Sequence, residues 1–162
     1  MRRLRRERPP VDVPRGESVL AWARATDGTV VAGTRDAVYV AGTRLPWEEV
    51  EAADWDRDTE IFRLSEVGAW GQQRAEHVLT IEEPRRLLEL VRERVTASVV
   101  LQRHVDVDGR RGLRVIARRA PRGDAPIRWV YEYDEGVDPD DPAVREAAES
   151  ALRAAREEVG PA

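Results

Sequence analysis

Asp54-Trp55-Asp56-Arg57-Asp58 is the stretch of this chain whose residue types come nearest to a metal site. Acids at alternate positions open a calcium loop, and the loop also needs glycine at its sixth position and a bidentate glutamate at its twelfth. Those positions hold Thr59 and Ser65. The run therefore reads as the solvated tip of a hairpin. The Asp106-Val107-Asp108-Gly109 turn fails the same test, with His104 at the first position and Val115 at the twelfth. Asp138-Pro139-Asp140-Asp141 reads as the cap of a helix, since acids favour a helix N-terminus.

The two histidines, His77 and His104, fall on separate expected strands. Zinc would need both imidazoles to meet across a sheet and recruit a carboxylate such as Glu76 or Asp106, and nothing in the spacing requires that. Acid–base work by a histidine–carboxylate pair has no better support. A cysteine nucleophile, a thiolate metal site and a disulfide are all excluded, because the chain has no cysteine. A nucleophile elbow, a glycine-rich phosphate loop and a dinucleotide fingerprint are also absent. A phosphate loop of the Walker type needs a lysine, and all 27 basic residues are arginine. No cofactor is implied, and the chain reads as non-enzymatic.

Charge is the stronger signal. The formal net charge is −4, but it is distributed in blocks. Residues 1–16 hold six arginines and two acids, and residues 44–83 hold four arginines and eleven acids. Residues 98–130 hold eight arginines and three acids, and residues 131–162 hold three arginines and ten acids. Such blocks either neutralise one another in the fold or mark faces for opposite partners. The candidate interaction surface is basic at Arg103, Arg114, Arg118, Arg119 and Arg122, and acidic at Asp54, Asp56 and Asp58. Basic strands beside Trp129, Tyr131 and Tyr133 could stack single-stranded nucleic acid. The alternation of those rings with Arg128 and Glu132 instead suits a core face. Exclusive use of arginine, with no lysine or asparagine, also fits a GC-rich, actinobacterial source, which lowers the weight of each arginine cluster.

The elements that must position these residues are strand-like and closely punctuated up to Glu82. Val19–Ala23 ends at Thr26-Asp27-Gly28, a tight-hairpin signal. Thr29–Ala32 and Ala37–Val40 follow, with a turn at Arg35-Asp36, and Pro46 suits the start or edge of a fourth strand. A fifth strand runs near Glu60 to Val67, a loop surrounds Trp70 between Gly68 and Gly71, and a sixth covers Ala75–Glu82. Six short strands at this spacing predict an antiparallel barrel or sandwich. Pro84 opens an amphipathic helix over 84–96, with Leu87, Leu88, Val91 and Val95 on one face. Val99–Val107, Leu113–Arg119 and Ile127–Tyr133 predict three more strands. A final helix over 142–159 presents a mostly alanine stripe to the bulky Ile127, Trp129, Tyr131 and Tyr133, large against small.

Three segments together resemble the pleckstrin-homology-like (PH-like) barrel, in particular small bacterial proteins of that class. They are Val30-Val31-Ala32-Gly33-Thr34-Arg35-Asp36-Ala37-Val38-Tyr39-Val40, then Leu45-Pro46-Trp47-Glu48-Glu49-Val50, then the helix near Leu87 to Val95. The resemblance covers residues 17–97 and implies a binding role, toward phosphoinositides in some members and peptides or proteins in others. Head-group binding draws on basic residues in the first hairpin loop, and Thr26-Asp27-Gly28-Thr29 offers an acid and no base. A phosphoinositide ligand is therefore not expected.

The expected architecture is α+β and mostly antiparallel. A flexible Arg-rich arm over 1–16 precedes a PH-like barrel over 17–97, closed by its amphipathic helix. A strand-strand-strand-helix extension over 98–162 packs on the barrel. No apolar run is long enough for a membrane-spanning helix, and the Arg-rich start has no apolar segment of an export signal, so a cytoplasmic location is expected. The expected role is a binding or scaffolding module for a protein or peptide. The alternative is a nucleic-acid-binding protein using strands 98–130 and the arm.

Overall fold

A computed structural model describes residues 7–68, 75–123 and 125–160, which leaves the expected loop around Trp70 largely outside the described residues. The protein is α+β with antiparallel sheets, and it divides into two compact units, Met1–Thr96 and Ala97–Ala162. None of the described helices is long and apolar enough to cross a membrane.

The first unit runs β1 (Ala21–Arg24), β2 (Val30–Gly33), β3 (Ala37–Val40), β4 (Thr43–Pro46), a 3-10 turn (Trp47–Glu49), β5 (Val50–Trp55), β6 (Ile61–Glu66), β7 (Glu76–Thr80) and α1 (Leu87–Ala97). Strands β1 to β4 form one meander and β5 to β7 another. This is one strand more than the sequence pattern predicts. The difference lies at Ala41-Gly42, a two-residue loop with φ of 50° and 82°, across which Val40 pairs with Thr43. A left-handed alanine is uncommon and gives no turn signal. Pro46 consequently ends an edge strand and does not begin a new one. The two meanders share no ladder, and no closed barrel is found, among the described residues. A backbone hydrogen bond from Thr26 N–H to Thr80 O, at 2.9 Å, links the β1–β2 loop to β7. The Asp27-Gly28 signal does mark the β1–β2 hairpin, but within a five-residue loop closed by Ala25 N–H to Thr29 O at 2.8 Å.

Trp47 is the centre of this unit's core. It is fully buried, and its indole N–H donates to Thr34 O at 2.9 Å. Val31, Val38, Val50, Phe62, Leu64, Ile81, Leu87, Leu90 and Val91 are among the residues packed in the same cluster. Gly33 lets α1 approach: a Cβ there would stand 2.6 Å from Leu90 Cδ2 and 3.3 Å from the Trp47 ring. α1 begins at Leu87 and not at Pro84, because Arg85 adopts φ 50° and cannot sit inside a right-handed helix. Pro84 instead closes a turn that accepts from Leu87 N–H at 3.0 Å.

The segment expected to be a free arm is partly fixed. Val11 and Val13 pack with Ala32, Ala37 and Tyr39 on the other face of the first sheet. Glu17 anchors its end. The Glu17 side chain is 6% exposed and accepts from Thr34 Oγ1 at 3.1 Å, from the Tyr39 hydroxyl, and from Arg44 at 3.0 and 3.3 Å. Burial raises the Glu17 pKa, but the donors from Arg44, Tyr39 and Thr34 outweigh it and the net shift is downward. The same desolvation and the Glu17 carboxylate push Tyr39 up.

The second unit runs β8 (Val99–Asp108), β9 (Arg111–Arg118), β10 (Arg128–Tyr133) and α2 (Pro142–Val159). The sheet order is β10-β9-β8, with a two-residue turn at Gly109-Arg110. α2 is capped by Asp141, which accepts from Ala143 N–H at 2.9 Å, with Pro142 in the first turn. Val144, Ala148, Ala155 and half-buried Ala147, Ala151 and Leu152 pack against Leu113, Val115, Trp129, Tyr131 and Tyr133. The small-against-large interface read from the sequence is present at Trp129, Tyr131 and Tyr133, whereas Ile127 precedes β10 and is not part of this cluster. Gly112 is indispensable to the strand pairing, since a Cβ there would stand 1.7 Å from the Val105 carbonyl oxygen. Its N–H donates to Asp134 Oδ2 at 2.8 Å.

Gly112→Ala is expected to force β8 from β9 and to cost at least about 3 kcal/mol. An unchanged urea midpoint by circular dichroism would show that the backbone yields there. Glu17→Gln is expected to cost roughly 1–3 kcal/mol at neutral pH, as the loss of a charged hydrogen-bond acceptor. Because Glu17 titrates below its ordinary 4.5 in the fold, its contribution is present above that value and is lost as pH falls through the lower folded one. The gap between wild type and variant should therefore close on acidification below 4.5, measured as urea midpoints across pH.

Candidate functional site

The hairpin of β5 and β6 and the outer face of α1 bound a groove of about 290 Å³. Its apolar lining is Ala53, Trp55, Phe62, Leu88 and Val91, and its charged lining is Asp54, Arg57 and Arg92. The local sequence explains each placement. β5 is an edge strand of its sheet and ends at Trp55, whose indole N–H donates to Ile81 O at 3.0 Å and fixes the ring. Along α1, Leu87, Leu90 and Val91 enter the core, while half-buried Leu88 lies one turn before Arg92 on the groove side. Phe62 and Val91 are buried, so the apolar surface left open belongs to Trp55 and Leu88, with a smaller part from Ala53.

The three candidate aspartates separate into different roles. Asp56 Oδ1 accepts from the backbone N–H of Asp58 at 2.8 Å and of Thr59 at 3.1 Å. Those two amides hold its carboxyl below the usual range, as expected of a turn-forming carboxylate and not of a cation ligand. Asp58 is exposed at the tip, and Asp54 joins the groove lining.

The arginines divide as well. Arg103 pairs with Glu158 and donates to Gln102 O at 2.9 Å. Its register partner is Val115, which places it on the α2 side of the sheet. Arg114 and Arg118 occupy the opposite face, where Arg118 is 4% exposed and donates to Ser98 Oγ at 3.5 Å. Arg119 and Arg122 are exposed beyond the end of β9. Trp129, Tyr131 and Tyr133 lie across from Ala117, Val115 and Leu113, on the side that α2 covers. Arg156 stacks over the Trp129 ring at 6.0 Å. Of the five candidate arginines, only Arg103 shares a face with the aromatic rings. Part of the charge blocking is thus internal to the second unit, with Arg103 against Glu158.

The histidines are taken up separately. His77 Nε2 lies 2.9 Å from Glu66 Oε2. His104 lies 2.8 Å from Asp134 Oδ2 through Nε2 and 3.2 Å from Asp106 Oδ1 through Nδ1. His104 and the Gly112 amide together hold the Asp134 carboxyl low. No group of three or more metal-ligating side chains is assembled among the described residues.

Sequence reasoning found Asp54 and missed Leu88, Arg57 and Arg92 as a set. A signal for Arg57 exists: it is the only base between Arg44 and Arg63, inside an otherwise acidic run. Leu88 and Leu87 are adjacent leucines with different work. Leu87→Ala empties a fully buried site and should cost about 2–5 kcal/mol, whereas Leu88→Ala should cost less than about 1 kcal/mol. Urea unfolding of both variants checks this, and equal losses would assign Leu88 to the core. No family model matches this chain, and no match is found among curated proteins or solved structures.

Proposed function

We propose that this chain is a non-enzymatic binding module that takes a peptide or a segment of a partner protein into the groove between the β5–β6 hairpin and α1. The observation that carries this reading is the half-open apolar surface of Trp55 and Leu88, set between an edge strand and a helix and rimmed by charge. Grooves that bind side chains combine an apolar floor with a few orienting polar groups, and strand edges supply backbone pairing to extended peptides. A four-stranded meander, a three-stranded meander and a helix packed on their common core is also the element order of a PH-like barrel, which supports the binding role by analogy of fold. Nucleic-acid binding by the arginine-rich strands has less support, because their aromatic rings face α2. The module works in the cytoplasm on this reading, consistent with a chain free of cysteine.

The test is selection of a phage-displayed random dodecapeptide library on the immobilised full chain, with Leu88→Arg as the counter-screen. Peptides should be enriched on wild type and lose binding to the variant, while its circular dichroism stays unchanged and its melting falls by no more than a few degrees, as a half-buried leucine implies. Failure to enrich any peptide, or equal binding to both proteins, overturns the reading.

A further inference from the structure

From the charges lining the groove, we infer that its ligand is an acidic–apolar peptide segment: a bulky apolar side chain with an aspartate or glutamate beside it. The inference rests on the groove being a peptide site, as proposed above, and adds which peptide it takes. Arg57 and Arg92 both line the groove, one from the hairpin tip and one from α1. Both are exposed, and no carboxylate among the described residues pairs with either. Arg24, Arg44, Arg63, Arg85, Arg94, Arg103 and Arg145 each have an acid within ion-pair distance, whereas Arg57 and Arg92 keep their guanidinium groups available on the groove.

The surroundings make the two arginines more informative. Residues 44–83 carry eleven acids against four arginines, so acids to pair with Arg57 are abundant nearby in sequence. Asp56, its immediate neighbour, is instead committed to the turn amides. A guanidinium donates in a planar fork that matches a carboxylate, and two of them on one groove recognise acids on an entering segment. The apolar floor sets the other half of the specificity, since Trp55 and Leu88 line a groove of about 290 Å³, enough volume for a large apolar side chain. Asp54 is the remaining lining charge, so the lining carries one net positive charge. It repels an acid placed against it, and so confines the ligand's carboxylate to the side of Arg57 and Arg92.

The experiment uses the peptides enriched on the full chain, each paired with a version in which Asp and Glu are replaced by Asn and Gln. Fluorescence anisotropy then compares wild type with the Arg57→Gln/Arg92→Gln double variant. Enriched peptides should carry an acid within two residues of a bulky apolar residue. Amide replacement should weaken binding to wild type by roughly two- to fivefold and change binding to the double variant little, the coupling expected of exposed charge pairs. If the enriched peptides are neutral or basic, or amide replacement weakens binding equally on both proteins or not at all, while Leu88→Arg still abolishes it, the groove stands and the acidic specificity falls. If nothing is enriched, both fall. Both arginines are exposed, so the double variant should melt with wild type, which separates lost recognition from lost folding.

Discussion

The first unit depends on the burial of one indole at the point where the chain passes between sheets. Trp47 opens the 3-10 turn that separates β4 from β5, so the residue at the junction of the two meanders is also the largest in their core. Burial of an indole is favourable only if its N–H finds an acceptor, and Thr34 O supplies it from the loop before β3. Gly33 next to that acceptor leaves space that both the ring and Leu90 occupy. One side chain thereby ties the first sheet, the second sheet and α1 together. The groove outside this core inherits its walls from the same packing, since Leu87, Leu90 and Val91 orient α1 and so determine where Leu88 and Arg92 stand.

The second unit solves a different packing problem. Three aromatic rings on β10 stand from the sheet, and α2 meets them with Ala147, Ala148, Ala151 and Ala155. Helix backbone can then approach the rings closely, and the density of an ordinary core is reached with few large aliphatic residues. β9 lies in the middle of the sheet, and Gly112 keeps its start close enough to β8 for pairing to continue into the turn.

Helical periodicity and turn residues were readable in the sequence; exceptions to them were not. α2 has a proline and an aspartate at its start and a regular apolar stripe, and it spans the residues that pattern indicates. α1 begins three residues late because nothing in Glu83-Pro84-Arg85 announces a left-handed arginine. β4 was hidden for the same reason, behind a left-handed alanine. Of the candidate site, the acidic run was visible, but its division of labour was not: which aspartate builds the turn depends on where the backbone amides point. The arginine stripe looked like one surface because residue spacing says which face a residue takes only once strand registers and ends are known. The groove joins residues 53–62 to residues 88–92, a pairing that no local pattern encodes.

The turn built by Asp56 has an entropic consequence. Its two side-chain-to-backbone hydrogen bonds hold the segment from Asp56 to Thr59 in one conformation, and Arg57 lies within it. A charged group on an unrestrained loop must give up backbone as well as side-chain freedom when it engages a partner. Arg57 is carried on backbone already ordered during folding, so contact through it immobilises only the rotatable bonds of its own side chain. The aspartate whose spacing suggests a metal ligand thus orders the backbone that carries the cation beside it.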